Sequence, residues 1–184
     1  SHMFKGILDI SSKLTVVKTF VVSNFRYCNV IHHFAPVRMS RKWKKMEILL
    51  ERSLQYVYMD FDSSFDDLLF RSGLTSLESE RQRAIVTQAY KIDYEIEPKY
   101  LEKFIKRRQI GYGTRQFMDM CLPNFKSIKY GKNSLKFYMP YFWNDLPNRV
   151  KAIQDICEFK QAIKTWNGHK CKCRLCRFRE VSVS

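Results

Sequence analysis

Ser40-Arg41-Lys42-Trp43-Lys44-Lys45-Met46-Glu47-Ile48-Leu49-Leu50-Glu51-Arg52-Ser53-Leu54-Gln55-Tyr56-Val57 is the stretch on which the fold class turns. Trp43, Met46, Leu50, Leu54 and Val57 recur at three- and four-residue steps, the spacing that lines one face of an α-helix. Ser40 has the side chain to cap its first turn. Arg41, Lys42, Lys44 and Lys45 then crowd the helix start, where the backbone dipole favours anions rather than cations. That placement costs a little stability and points to another use, such as pairing with phosphates.

The same periodicity extends in both directions. Upstream, Leu14, Val17, Phe20, Val21, Phe25 and Cys28 predict an amphipathic helix running to about Phe34, with Ala35-Pro36 ending it. Downstream, Ser63 or Ser64 opens a short helix that Gly73 closes. Thr75-x-x-Glu78 forms a capping box for a helix with Leu77, Ala84, Ile85, Ala89 and Ile92 inside. Pro98 suits the first position of a helix containing Tyr100, Leu101, Phe104 and Ile105, with Lys103, Lys106, Arg107 and Arg108 at its C-terminal end. Glycines, Pro123 and asparagines punctuate short apolar runs from Gly111 to Asn133, which reads as a β-hairpin or an irregular insertion near 112–131. A helix from Asn133 or Ser134 stops by Leu146-Pro147, and Asp155-x-x-Glu158 caps a last one through Phe159, Ile163 and Trp166. The expected fold is a mainly α multi-helix bundle with that small insertion and a basic, Cys-rich tail. Trp43, Trp143 and Trp166 are assigned to core packing.

At 184 residues the chain is too short for a full polymerase, and with 45% hydrophobic and 15% aromatic residues it has ample material for a core. Its 33 Lys and Arg against 18 Asp and Glu leave a net charge of +15, which implies a polyanionic partner, nucleic acid by default. Ser1-His2-Met3 reads as the scar of a cleaved expression tag on an excised piece of a longer protein. Lys5, Asp9, Lys13 and Lys18 interrupt every apolar run near the start, and no stretch has the roughly 18 apolar residues of a membrane span. Six scattered and clustered cysteines fit reduced thiols in an intracellular protein better than a secreted disulfide framework.

Four basic groups stand out: Arg41, Lys42, Lys44 and Lys45; Lys103, Lys106, Arg107 and Arg108; Lys126, Lys129 and Lys132; and Lys170, Lys172, Arg174 and Arg177. They alternate with Tyr112, Phe125, Tyr130 and Phe178. Cations of this kind neutralise phosphates and exposed rings stack on unpaired bases; a solvated basic face is the plainer reading for any one group. His169, Cys171, Cys173 and Cys176 place four ligand types within eight residues. This suits a zinc half-site, although tight spacing leaves open a distant fourth donor, or a basic reduced tail without metal. Cys28, Cys121 and Cys157 read as small core hydrophobes, and His32 and His33 as one packed and one solvated imidazole. Asp60, Asp62, Asp66 and Asp67 form the one dense acidic group, but Asp66 and Asp67 fall in a first helical turn, where they serve the dipole. No P-loop, nucleophile elbow or two-metal carboxylate set is present, so no catalytic residue is assigned.

Several runs occur in a telling order: Val22-Ser23-Asn24-Phe25-Arg26-Tyr27-Cys28, Arg41-Lys42 through Glu51-Arg52-Ser53-Leu54, Ser64-Phe65-Asp66-Asp67-Leu68-Leu69, Pro98-x-Tyr100-Leu101, Tyr130-Gly131 to Ser134, Phe142-Trp143-Asn144-Asp145-Leu146-Pro147-Asn148, and Phe159-Lys160. The series resembles the C-terminal part of the reverse transcriptases of animal non-LTR (LINE-type) retrotransposons, the jockey-like group especially, over nearly the whole chain. His33 departs from an expected Trp, and Pro140 predicts a helix interruption before Trp143. Phe65-Asp66-Asp67 resembles the aromatic-x-Asp-Asp turn of reverse transcriptases but lacks its spacer residue.

The resemblance implies a thumb and post-thumb region that grips template RNA or an RNA–DNA duplex in target-primed reverse transcription. The catalytic aspartates would belong to an upstream palm, outside this chain. Implied partners are RNA or RNA–DNA hybrid, a DNA target, and the palm and fingers of the parent protein, with no membrane. The implied setting is a ribonucleoprotein of nucleus and cytoplasm. The corresponding organisation is a tag remnant at 1–3, a helical thumb-like region at 4–110, a hairpin plus helical region at 111–167 and a basic Cys/His tail at 168–184. A protein-interaction or dimerisation module of the same polyprotein is the alternative.

Overall fold

The computed structural model describes residues 8–27, 30, 37–108, 118–127, 131 and 134–166, with the side chains of 37–44 left out. The mainly helical architecture expected from the sequence is the one observed. The described residues group into two compact units, 8–27 with 37–80 in the first and 30 with 81–166 in the second, so that the main division falls between Glu80 and Arg81. The expected boundaries at 110/111 and 167/168 lie outside the described residues.

The first unit begins with α1 (Ile10–Val16), which Asp9 caps by accepting the Ser12 N–H, and continues through a π-helical turn (Val17–Val22) into α2 (Ser23–Arg26). The π turn changes which residues face inward. Val17 and Val22, five apart as its i→i+5 bonding aligns them, are buried with Phe25, while Phe20 is 66% exposed. The expected burial of Phe20 fails because a 3.6-residue period does not hold there. Thr15, Thr19, Ser23 and Asn24 each donate a side-chain hydrogen bond to the carbonyl four residues back. Such back-bonding perturbs the regular ladder. This helix ends at Arg26, with Tyr27 extended, so the expected continuous run is broken there; Val30 is again helical, and the rest of the stretch to Phe34 lies outside the described residues.

α3 spans Val37–Tyr58 and carries Met46, Leu50, Leu54 and Val57 into the core, as their spacing predicts. Ser40 is inside it and not its cap. Arg38 and Met39 are good helix formers, so the helix begins a turn early and the basic run moves beyond the first turn, where the dipole penalty fades. α4 (Phe65–Ser72) is capped by Ser64, whose Oγ accepts the Asp67 N–H and donates to the Asp67 carboxylate; Gly73 closes it at φ 64°. Leu68 and Leu69 complete the core against α3.

α5 (Leu77–Asp93) is capped by Ser76, which accepts the Ser79 N–H, and not by Thr75. Thr75 instead donates to the Glu80 carboxylate at 2.9 Å. In the second unit α5 buries Ile85, Val86, Ala89, Tyr90 and Ile92. Pro98 precedes a 3₁₀ turn (Lys99–Phe104), not an α-helix, and the chain is extended from Ile105. Lys106, Arg107 and Arg108 therefore lie beyond the helix end they were expected to load. Among the described residues the β pairing is a single antiparallel bridge between Arg107 and Met120. The rest of the expected insertion falls largely outside them.

α6 (Leu135–Asn144) runs through Pro140 without the expected break. The missing Pro140 N–H would have bonded the carbonyl of Lys136, an exposed residue of the first turn. Burial of Phe137, Tyr138, Met139, Phe142 and Trp143 offsets the loss. α7 (Asn148–Lys151) follows Pro147, and α8 (Ile156–Ala162) is capped by Asp155, as expected, before a 3₁₀ turn (Ile163–Thr165). Tyr90 stacks on Tyr94 and Phe159 at 4.4 and 4.2 Å, and Phe159 on Trp143 at 6.0 Å. Trp143 is buried as expected, whereas Trp166 is half-buried. Cys121 is half-buried and Cys157 exposed, so neither is the core hydrophobe expected; Cys157 sits in the first turn of α8, on the side away from Phe159. Cys28, His32, His33 and the side chain of Trp43 lie outside the described residues.

Candidate nucleic-acid interface

The basic group at Lys103–Arg108 has the most fully described geometry. Lys103, Lys106, Arg107 and Arg108 are all exposed. The Arg108 N–H donates to the Asp119 carbonyl at 3.0 Å, and the Cys121 N–H donates to the Lys106 carbonyl at 2.6 Å. In extended backbone alternate residues face opposite sides, which separates Lys106 and Arg108 from Arg107. Arg107 is turned to Asp93: Nε reaches Oδ1 at 2.7 Å and a terminal guanidinium nitrogen reaches Oδ2 at 2.6 Å. That hydrogen bonding, ahead of the desolvation that opposes it, raises the already high pKa of Arg107. Arg107 thus ties the basic strand to α5, and Lys106 and Arg108 flank it on the other side.

The partner segment is itself clamped. The Trp143 indole N–H donates to the Met118 carbonyl at 3.0 Å, and the Asn144 amide makes two hydrogen bonds to the Met120 backbone. Lys151, buried in a chain this basic, donates to Asp119 at 2.7 Å and to the Asn144 carbonyl at 3.2 Å. Tyr94 donates to the Lys151 carbonyl at 3.0 Å. The Trp143-Asn144 pair of the sequence motif therefore acts as a brace behind the strand that carries Lys106 and Arg108. Sequence reading missed Lys151 and its Asp119 partner, because a lysine in a four-residue helix after a proline has no periodic signal of burial.

No family model, curated protein or solved structure matches this chain.

The other sequence candidates are placed unevenly. Lys45 is exposed on α3, and the backbone puts Arg41, Lys42 and Lys44 on the turns before it. Lys126 is exposed beside Phe125, whose ring packs edge-on to Phe137 at 5.4 Å. Lys129, Lys132, Lys170, Lys172, Arg174 and Arg177 lie outside the described residues, as do His169, Cys171, Cys173, Cys176, Tyr112, Tyr130 and Phe178. Among the described residues no three His, Cys, Asp or Glu side chains converge as a metal site requires.

The acidic group has structural partners. Asp60 accepts from the Ser63 hydroxyl at 2.6 Å and from Arg71 at 2.6 Å, and these bonds, the serine first, lower its pKa to about 2. Asp67 pairs with the Ser64 cap and Asp66 faces solvent in the first turn of α4. No described helix is long and apolar enough to cross a membrane.

Proposed function

We propose that this chain is the thumb and post-thumb portion of a non-LTR retrotransposon reverse transcriptase, a part that binds nucleic acid and catalyses nothing alone. It grips template RNA or an RNA–DNA duplex during target-primed reverse transcription. The observation that carries the reading is the uncompensated charge. Arg26, Arg71, Lys91, Arg107 and Lys151 each pair with a carboxylate, but every such pair removes one cation and one anion, so the excess of +15 remains. The ordered motifs of the sequence support the family assignment, and the braced Lys106–Arg108 strand supports a rigid backing for phosphate contacts. A-form duplexes are read mainly by shape and backbone, which suits lysines and arginines on a fixed strand. Its partners in this reading are RNA or hybrid, a DNA target, and the upstream palm and fingers, in a ribonucleoprotein of nucleus and cytoplasm. Zinc in the His169–Cys176 tail belongs to the same proposal.

Titrating RNA, RNA–DNA hybrid and single-stranded DNA across salt, with and without a chelator, tests it. Affinity should fall linearly on a log–log plot, with a slope of about 0.9 per duplex phosphate neutralised. Undetectable or salt-independent affinity refutes the reading, and chelator sensitivity assigns a metal. A second reading, a protein-interaction or dimerisation module, draws on Phe61 and Phe70, 63% and 88% exposed in the first unit. A stable dimer without nucleic-acid affinity would establish it instead.

A further inference from the structure

The 3₁₀ turn Lys99–Phe104 sorts its side chains by threes, because residues three apart eclipse in that helix. Leu101 and Phe104 share one edge and are half-buried, which seats the turn on the second unit. Tyr100 and Lys103 share another edge, about 6 Å apart along the axis, and both are exposed, the Lys103 ammonium lying 5.8 Å from the centre of the Phe104 ring. Tyr100 is 67% exposed, and among the described residues its ring has no stacking partner and its hydroxyl no hydrogen bond.

Several other exposed rings are placed differently. Phe61 and Phe70 stand among Asp60, Asp62, Asp66 and Asp67, whose charges repel a phosphate chain. Phe125 is engaged with Phe137 and lies across Gly131, where a Cβ would come within 2.4 Å of it. Tyr56 has Lys13 over its ring at 5.8 Å. Tyr100, in contrast, lies between exposed Lys99 and Lys103, with Lys106 just beyond. Of the carboxylates nearby, Glu97 is paired to Lys91 at 3.1 Å, exposed Glu95 precedes Pro98, and exposed Glu102 shares the third edge with Lys99. An uncommitted ring between cations on a seated turn has the chemistry of a stacking platform.

We propose that Tyr100 stacks on one unpaired base of a single-stranded nucleic acid, with Lys99 and Lys103 on the flanking phosphates. The inference rests on the nucleic-acid-binding reading above and adds to it a preference for unpaired strand at this position. In a duplex the base faces are occupied by their neighbours, so Tyr100 has nothing to cover there.

The test compares wild type with Tyr100→Ala, Tyr100→Phe and Lys103→Gln, using a fluorescent oligouridylate of roughly a dozen nucleotides and a blunt RNA duplex, across salt. Tyr100→Ala should weaken oligouridylate binding about 5- to 140-fold, leave the duplex within about twofold and leave the salt slope unchanged. Tyr100→Phe should bind as wild type, and Lys103→Gln should lower the single-strand salt slope by about 0.7. Thermal melts confirm that the exposed substitutions leave the fold intact. Wild type binding neither probe overturns both this inference and the proposed function. Wild type binding both, with Tyr100→Ala indifferent on the single strand or equally weakened on both probes, overturns this inference alone.

Discussion

Asn144 pairs with the backbone of Met120 as a neighbouring strand would: its Nδ2 donates to the Met120 carbonyl at 2.9 Å and its Oδ1 accepts the Met120 N–H at 2.8 Å. One side chain at the end of α6 thus takes the place of a strand in a segment whose described residues form a single bridge. Replacing it exposes what that substitution for a strand contributes. Met120 is fully buried, so Asn144→Ala leaves a donor and an acceptor without partners. The expected loss is about 2–4 kcal/mol, read as a lower urea midpoint at unchanged slope. An unchanged midpoint would mean that water replaces the amide at no cost.

Arg107 and Lys106 are adjacent cations with opposite roles. The Asp93 side chain is 6% exposed and that of Arg107 51%, so Arg107→Ala leaves a nearly buried carboxylate without its fork. A loss of about 1–2 kcal/mol is expected, less than for a fully buried pair because the guanidinium is half in water. Lys106→Ala should change stability by no more than about 0.5 kcal/mol, and under the proposed function it should lower the duplex salt slope by about one contact. Chemical denaturation and binding titrations on the two variants separate the roles. Equal effects on stability would contradict the assignment.

The two ends of α4 predict independent and similar losses. Ser64→Ala removes the bond to the Asp67 N–H and should cost about 1 kcal/mol. At Gly73 an added Cβ meets nothing within 4 Å, so Gly73→Ala pays only for φ 64°, about 1–2 kcal/mol. The double variant should be additive within about 0.5 kcal/mol, since the sites share no partner. Thermal unfolding of the three variants checks this.

Stability should fall at both pH extremes for identifiable reasons. Asp60 titrates near 2 when folded and near 3.8 when free, so its contribution is complete above pH 3.8 and is lost as pH falls towards 2. Asp60→Asn should flatten the acid limb of the stability profile. Tyr90 and Tyr94 are raised above 10, both chiefly by burial, and each donates its hydroxyl to a carbonyl. Their contribution is complete below pH 10 and is lost as pH rises through the folded values. Tyr90→Phe should flatten the alkaline limb. A profile unmoved by either substitution would assign the extremes to other groups.

Local signals were legible where they act locally. The Gly73 closure, the Asp155 cap and the Met46–Val57 stripe each depend on a few consecutive residues and stand where the sequence places them, and of the two serines it offers as the α4 cap Ser64 is the one used. Errors gather where a local rule has a near-equal competitor. Ser76 displaces Thr75 because adjacent hydroxyls can serve the same turn, and the π turn at Val17–Val22 changes a period that the apolar spacing assumed. Pro140 is tolerated because the aromatics around it are buried together, a benefit invisible at the proline itself.

Of the candidate interface, the sequence by itself determined the sign, size and distribution of the charge, because net charge is a sum that folding does not alter. Only the tertiary structure decided what each cation does. Lys151 is buried against Asp119 and Arg107 is tied to Asp93, while Lys106 and Lys103 face water. The partners concerned lie 32 and 14 residues away in the chain. Helical and strand periods reach only neighbours, so no pattern in the sequence distinguishes a bracing lysine from one open to a phosphate. That distinction comes from packing, which brings a carboxylate to one cation and leaves the other in solvent.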